Sequence, residues 1–402
     1  MKKILFLTLL EFENPDDRGI YHDLVKCLRE KGMQVCVVCP REKITGLDTE
    51  LTEYDNLKVL KVKTGNIQKC GLIEKGISTL RIESQYLKAI KQYFKEIKFD
   101  MVMYSTPPIT FIKAVEFIKN RDKAVSYLIL KDIFPQNAVD IELIKKGGFL
   151  HKYFRKKEKK LYEISDHIGC MSEANVKYLL EHNPELKKEK IEVFPNCIIP
   201  IERRENKKKD TGILNKYNIP GNAVLFVYGG NLGKPQGIDF LLEVADDFHK
   251  VENGFLLIVG SGTEYSRIQK HFAETKPKAC ALYSLLPKQE YDQLVNNADV
   301  GLIFLDKRFT IPNFPSRLTA YMENSMPVLA ATDTVTDIKD VLLESQSGLW
   351  CESGDINSFI ENANKLTKDT ELRTKMSNSS RKNLEVNYDL RKNIKKIISL
   401  VT

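Results

Sequence analysis

No apolar run in this chain approaches the ~20 consecutive residues that a membrane-crossing helix requires. The N-terminus, Met1-Lys2-Lys3 followed by an apolar stretch over residues 4–10, has the outline of a secretion signal. The stretch is short, however, no small-residue cleavage site follows, and Glu11 and Glu13 come at once. It reads as a first β-strand, and a cytoplasmic protein is expected. The cysteines, Cys27, Cys36, Cys39, Cys70, Cys170, Cys197, Cys280 and Cys351, include no C-x-x-C with a matching second pair. Structural zinc is therefore not expected, and the thiols read as small buried apolar groups. The richest glycine segment is neither G-x-G-x-x-G nor a P-loop ending in G-K-[ST], so the two commonest phosphate signatures do not describe it.

What is present points to a soluble enzyme of more than one domain. The 402 residues suffice for two or three cores. At 42% hydrophobic and 29% charged, the chain has ordinary globular composition rather than that of a disordered one. The net charge of +8 suits an acidic substrate or an anionic membrane face; no nucleic-acid partner is expected. Positive charge concentrates at residues 151–160 (HKYFRKKEKK) and at Lys207-Lys208-Lys209. Each block reads first as a solvated helix face or linker. Phe149, Leu150, Tyr153 and Phe154 around the first also fit a peripheral membrane contact at an anionic surface.

Strand and helix patterns alternate along the N-terminal half. Strands are expected near residues 4–9, 34–38, 57–62, 99–104, 124–130 and 168–171, with helices over 19–31 and 73–94. A polar stretch at 202–211 reads as a linker. A second series follows, with strands near 224–228, 255–259, 280–283, 300–304 and 328–330, and helical periodicity from 356 to 401. The fold class is thus α/β, two doubly wound parallel sheets. Such sheets bind ligands at the carboxyl ends of their strands, here in a cleft shared by two substrates.

The most informative segment is Tyr228-Gly229-Gly230-Asn231-Leu232-Gly233-Lys234-Pro235-Gln236-Gly237. It follows an apolar strand and precedes an amphipathic helix. A glycine turn there lets backbone N–H groups approach a phosphate, and also fits a βα connection with no ligand. A second segment, Pro312-Asn313-Phe314-Pro315-Ser316-Arg317, reads as a helix start with Ser316 able to cap and Arg317 in the first turn.

These two segments, with residues 259–264 and 297–300, resemble the donor half of retaining GT-B glycosyltransferases of family 4, in the WbuB-like group of bacterial capsule and O-antigen clusters. The N-terminal half is similar to that group at Asp17-Arg18-Gly19, at Lys131-Asp132-Ile133-Phe134-Pro135-Gln136, at Met171-Ser172-Glu173 and at Val193-Phe194-Pro195-Asn196. The resemblance implies two Rossmann-like domains. Residues 1–200 would bind the acceptor and 201–384 the nucleotide sugar, with a final helix over about 385–402 packing back on the first domain. It implies hexosyl or N-acetylhexosaminyl transfer, with retention, from a nucleoside-diphosphate sugar to a lipid-linked saccharide in surface polysaccharide synthesis. The protein would work in the cytoplasm or at the inner face of the plasma membrane. No metal or other cofactor is implied, and no D-x-D ends a strand of the C-terminal half.

Residue by residue, the resemblance implies that Asp132, Lys234 and Arg317 would take catalytic roles. Gly229, Gly230, Asn231, Gly233, Gly262, Leu286, Pro315, Ser316 and Glu323 would bind the donor, and Arg18, Gly19, His22, Lys131 and Gln136 the acceptor. Simpler readings stand beside these: a helix cap by Asp132 or its loop salt bridge with Lys131, an ion pair of Arg18 with Asp16, and a partly solvated surface position for His22. The chain departs from the family where Gly-Arg becomes Gly230-Asn231 and Lys-Gly becomes Gln236-Gly237. The E-x7-E pair falls on Pro312 and Ala320, leaving Glu323, one helical turn on, to hold the ribose. A nucleotide-sugar epimerase of the same fold, or a non-catalytic partner of a transferase, are the alternative functions.

Overall fold

The computed structural model describes residues 1–67, 71–203 and 209–401; Cys70, Lys207 and Lys208 lie outside the described residues. The chain divides into two compact units, one of Met1–Ile199 with the chain from Asp389 onward, the other Pro200–Tyr388.

The first unit holds β1 (Lys3–Leu7), β2 (Gln34–Glu42), β3 (Glu50–Tyr54), β4 (Leu57–Thr64), β5 (Met101–Ser105), β6 (Val125–Leu130), β7 (His167–Cys170) and β8 (Ile191–Val193). They form one sheet in the order β3-β4-β2-β1-β5-β6-β7-β8, parallel except for the β3–β4 pair. The interior strands are apolar on both faces, as strands covered by helices on both sides must be; β5, MVMYS, is buried throughout. The final helix, Leu390–Ser399, belongs to this unit and buries Leu390, Ile394 and Ile397. The described cysteines are free, six of them buried and Cys280 half-buried.

The second unit holds β9 (Val224–Asn231), β10 (Gly254–Ser261), β11 (Cys280–Tyr283), β12 (Val300–Phe304), β13 (Val328–Thr332) and β14 (Gly348–Glu352), all parallel, in the order β11-β10-β9-β12-β13-β14. In each sheet the chain winds outward from a central strand, then returns to that strand's other side. The reversal falls between β1 and β5 in one unit and between β9 and β12 in the other. The carboxyl ends of those strands are where such sheets bind ligands.

The structure differs from the sequence reading in several places. Gly229, Gly230 and Asn231 are not a turn but the end of β9, paired with Val259, Gly260 and Ser261. Three strands went unread: β3, β8 and β14. β3 is a polar edge strand, ELTEY, with no buried residue to mark it; β8 has only three residues. The linker stretch ends at Asp210, whose carboxylate caps the helix Thr211–Lys216 by accepting from the Gly212 and Ile213 amides. Ser316 precedes the helix Arg317–Glu323 but makes no capping bond.

Candidate functional site

In the second unit the groups gathered at the end of β9 are Gly229, Gly230, Arg317 and three tyrosines. The Arg317 guanidinium lies over the Tyr228 ring, 4.2 Å from its centroid. A Cβ on Gly230 would stand 3.5 Å from Arg317 Nη2, and Gly230 itself has φ 123°, where a side chain is strained. Tyr321, fully buried, takes the Gly229 amide hydrogen at 3.4 Å and faces the Leu302 carbonyl at 3.1 Å. Arg317 Nη1 is buried without a hydrogen-bond partner, and no carboxylate pairs with the guanidinium among the described residues. A buried cation without a counter-ion is costly. An anion arriving over Gly229–Gly230 would offset that cost with charge-assisted hydrogen bonds.

The other donor candidates divide. Gly233 and Asn231 are tied together through Gln236, whose Oε1 accepts from Asn231 Nδ2 at 2.8 Å and from the Gly233 amide at 3.1 Å. Gly262 is required by packing: a Cβ there would lie 2.2 Å from the Leu232 carbonyl oxygen. Lys234 opens a single 3-10 turn, Lys234–Gln236, and is exposed. Leu286 is half-buried in the loop after β11, beside the exposed Leu285. Pro315 and Ser316 precede a helix of only seven residues. Glu323 is engaged elsewhere: its Oε1 accepts the Ile201 amide hydrogen at 3.2 Å. Holding a ribose would require that bond to open.

In the first unit the Thr106 hydroxyl clasps the loop after β6, accepting from the Lys131 amide at 3.0 Å and facing the Asp132 amide and carbonyl at 3.2 Å. Asp132 does not pair with Lys131. Its Oδ1 accepts from Asn137 Nδ2 at 2.6 Å, while Lys131 Nζ donates to Asn196 Oδ1 at 2.5 Å and lies 5.8 Å from the Tyr21 ring centroid. Burial pushes Asp132 up to about 6, with the Asn137 and Ile133 hydrogen bonds pulling the other way. Burial likewise brings Lys131 down to about 7. In both groups burial disfavours the charged form.

The remaining acceptor candidates were only partly read. His22 is not a solvated surface group. It is buried on the helix Ile20–Glu30, stacks on Phe12 at 4.2 Å, leaves Nε2 without a partner, and burial lowers its basicity. Arg18 donates through Nη2 to the Ile199 carbonyl at 2.9 Å, and Asp23 accepts the Ile199 amide hydrogen at 2.8 Å. That loop therefore holds the chain where it leaves the first unit. Gly19, at φ 148°, lets the chain turn into the helix. Gln136 donates to Asp140 at 2.7 Å within its own short helix, Gln136–Asp140. No group of three or more His, Cys, Asp or Glu side chains is placed to hold a metal among the described residues.

Asp132 carries a prediction. Its folded-state pKa, about 6, lies above the ~3.9 of an unfolded chain. The native state therefore holds the proton more tightly, and wild-type stability falls as pH rises from about 4 to 6. Asp132→Asn removes the charge and keeps an oxygen for Asn137. At pH 7.5 it should be more stable than wild type by about 1–3 kcal/mol, an advantage absent at pH 4. Urea midpoints at the two pH values check this; equal differences at both would show that the carboxyl is not perturbed.

Residues 209–383 match the family model for Glycosyl transferases group 1. Over 287 residues the chain is 23% identical to WbjE of Pseudomonas aeruginosa, described as a glycosyltransferase, covering 71% of this chain and 70% of that one. Over 178 residues it is 24% identical to WcaI of Escherichia coli strain K12, described as a colanic acid biosynthesis glycosyl transferase, covering 43% and 42%. Its fold is that of sucrose-phosphate synthase from Thermosynechococcus elongatus, with a TM-score of 0.75 at 14% identity over 100% of this chain and 98% of that one. It is also that of Anabaena HepE, solved with UDP-glucose, with a TM-score of 0.67 at 13% identity over 99% of both chains. Two Rossmann-like α/β units of this kind define the GT-B architecture. The protein is a glycosyltransferase, and the match to the group 1 model lies within its C-terminal unit.

Proposed function

We propose that the enzyme transfers a hexosyl or N-acetylhexosaminyl group, with retention and without a metal, from a nucleoside-diphosphate sugar to a lipid-linked saccharide in bacterial surface polysaccharide synthesis. The observation that carries the donor half of this reading is the half-buried Arg317 guanidinium beside Gly230, with its buried Nη1 unpartnered. The leaving group is a diphosphate, and catalysis consists of positioning and of stabilising the charge it develops. Arg317 supplies fixed positive charge, and the exposed Lys234 a second cation. Asp132, perturbed and half-buried, orients the acceptor hydroxyl. The colanic acid biosynthesis in WcaI's name supports a polysaccharide product, and the HepE complex supports a nucleotide-sugar donor. A thermal-shift screen with UDP, GDP and ADP and their sugars tests the reading, since a ligand of the folded state raises its stability. One base should stand out; no response to any would overturn it.

A lipid-linked acceptor calls for a membrane contact, and the first unit has a candidate surface. The helix Phe149–Ile164 and the loop before it expose Leu143, Phe149 (82%), Leu150 and Tyr153. Part of the basic block is spent in ion pairs. Lys159 pairs with Glu185 at 3.0 Å, Lys160 with Glu163 at 3.3 Å, and Arg155 with Glu158 at 2.5 Å. Lys145, Lys146, Lys152 and Lys156 are exposed and in no ion pair among the described residues. No described helix is long and apolar enough to cross a membrane, so the contact we propose is peripheral. Each lysine near an anionic surface contributes about 1 kcal/mol. Changing these four to Gln should release the protein from phosphatidylglycerol vesicles at low salt, while Lys159→Gln with Lys160→Gln should not. Vesicle sedimentation decides, and wild-type protein that ignores such vesicles would remove the membrane contact.

A further inference from the structure

We propose that the Tyr291 hydroxyl is a second donor to the diphosphate, acting beside Arg317 over the Gly229–Gly230 backbone. The proposal rests on the donor reading above and adds a residue that nothing in the glycine and arginine segments points to. Tyr291 sits on the helix Lys288–Asn297, one turn before the buried Leu294 and Val295, which fix that face inward. Its ring runs to the end of β9. A Cβ on Gly229 would lie 1.9 Å from Tyr291 Oη and 2.8 Å from Cζ, so the phenol tip fills the volume that any side chain at 229 would need.

What sets this hydroxyl apart is that nothing holds it. Tyr228 donates to the Asn231 carbonyl at 2.8 Å, Tyr321 to the Val227 carbonyl at 3.2 Å, Tyr217 to Glu290 at 2.5 Å and Tyr283 to the Tyr217 carbonyl at 2.9 Å. Tyr291 Oη has no hydrogen-bond partner among the described residues, although its ring is half-buried. The hydroxyl is not among the wholly buried polar atoms, so an incoming oxyanion can reach it. The neighbouring group is again the Arg317 guanidinium, with its own unpartnered nitrogen. Two donors without acceptors, one neutral and one cationic, converge on two glycines that leave the backbone bare. That arrangement takes a multiply charged oxyanion with oxygens to spare. Burial raises the Tyr291 phenol above its ordinary range, against the opposing pull of Arg317, so it stays a proton donor at neutral pH.

A purely structural Tyr291 would only pack against Gly229, and Tyr291→Phe would then change nothing, because the ring is kept and no hydrogen bond of the free protein is lost. The test is calorimetric titration of wild type and Tyr291→Phe with inorganic pyrophosphate, and with UDP, GDP and ADP. A hydrogen bond to a charged partner corresponds to about a tenfold or larger change in affinity. Tyr291→Phe should therefore bind pyrophosphate and the preferred nucleoside diphosphate about tenfold more weakly, with an unchanged melting temperature. The parent nucleoside, lacking phosphates, should bind both proteins alike. Equal pyrophosphate affinity in the two proteins would overturn the proposal while leaving the donor reading intact. Wild-type protein that binds neither pyrophosphate nor any of the three nucleotides would overturn both.

Discussion

Arg317→Met should lose diphosphate binding by one to two powers of ten while the free protein melts no lower than wild type. The two halves of this result have one cause. In the free protein the guanidinium is buried with Nη1 unpartnered and no carboxylate beside it among the described residues. The folded state therefore bears the desolvation of that nitrogen with the Tyr228 ring and hydroxyl, but no carboxylate, in return. Methionine keeps much of the stem's packing and removes that cost. With ligand bound, the same guanidinium makes charge-assisted bonds worth roughly 1.5–3 kcal/mol, about ten- to hundredfold in affinity. Calorimetry with pyrophosphate and a thermal melt without ligand read the two halves separately. A variant that binds normally removes Arg317 from the donor site; one that melts far lower would show the residue to be a packing element.

Gly260→Ala should be among the most destabilising changes to the second unit. A Cβ at 260 would stand 1.9 Å from the Gly230 carbonyl oxygen and 3.0 Å from its carbon, both backbone atoms of the adjacent strand. They cannot rotate away. β9 and β10 would have to part where Val259, Gly260 and Ser261 pair with Gly229, Gly230 and Asn231. A cost of about 3 kcal/mol, at the upper end for overpacking, is expected. Gly229→Ala is the contrast: its new methyl meets the tip of the Tyr291 side chain, which can swing aside. That variant should keep more stability yet lose pyrophosphate affinity by displacing both the phenol and the bare backbone. The single tryptophan, Trp350 on β14, reports this unit alone. Its fluorescence in urea ranks the two variants, and a milder effect for Gly260→Ala than for Gly229→Ala would contradict the packing argument.

Much of the architecture was legible because its cause is local. A buried parallel strand is a short apolar run, and Val300–Phe304 stands at the residues where its composition placed it. The helix that begins at Arg317 was legible for a similar reason, from the short segment that precedes it. The edge strand Glu50–Tyr54 was not, since its pairing with β4 is made by backbone hydrogen bonds and leaves no apolar signature. Tyr291 carried no signal at all, because in sequence it is one more apolar position of an amphipathic helix.

By itself the sequence determined two βα series, their order, and a glycine-rich segment at the end of a central strand. Those follow from side-chain polarity repeating at the period of strand or helix, which neighbours along the chain suffice to define. Only the tertiary structure decided which polar groups are spent and which are free. Glu323 is consumed by a backbone amide 122 positions away. Lys159 and Lys160 are neutralised by carboxylates that leave Lys152 and Lys156 exposed. His22 is buried on Phe12, and Arg317 keeps an unpartnered nitrogen. A hydrogen bond is made by whatever group packing brings within about 3 Å. That neighbour is set by how distant segments fold together, so the residues left free to bind a substrate are a property of the fold.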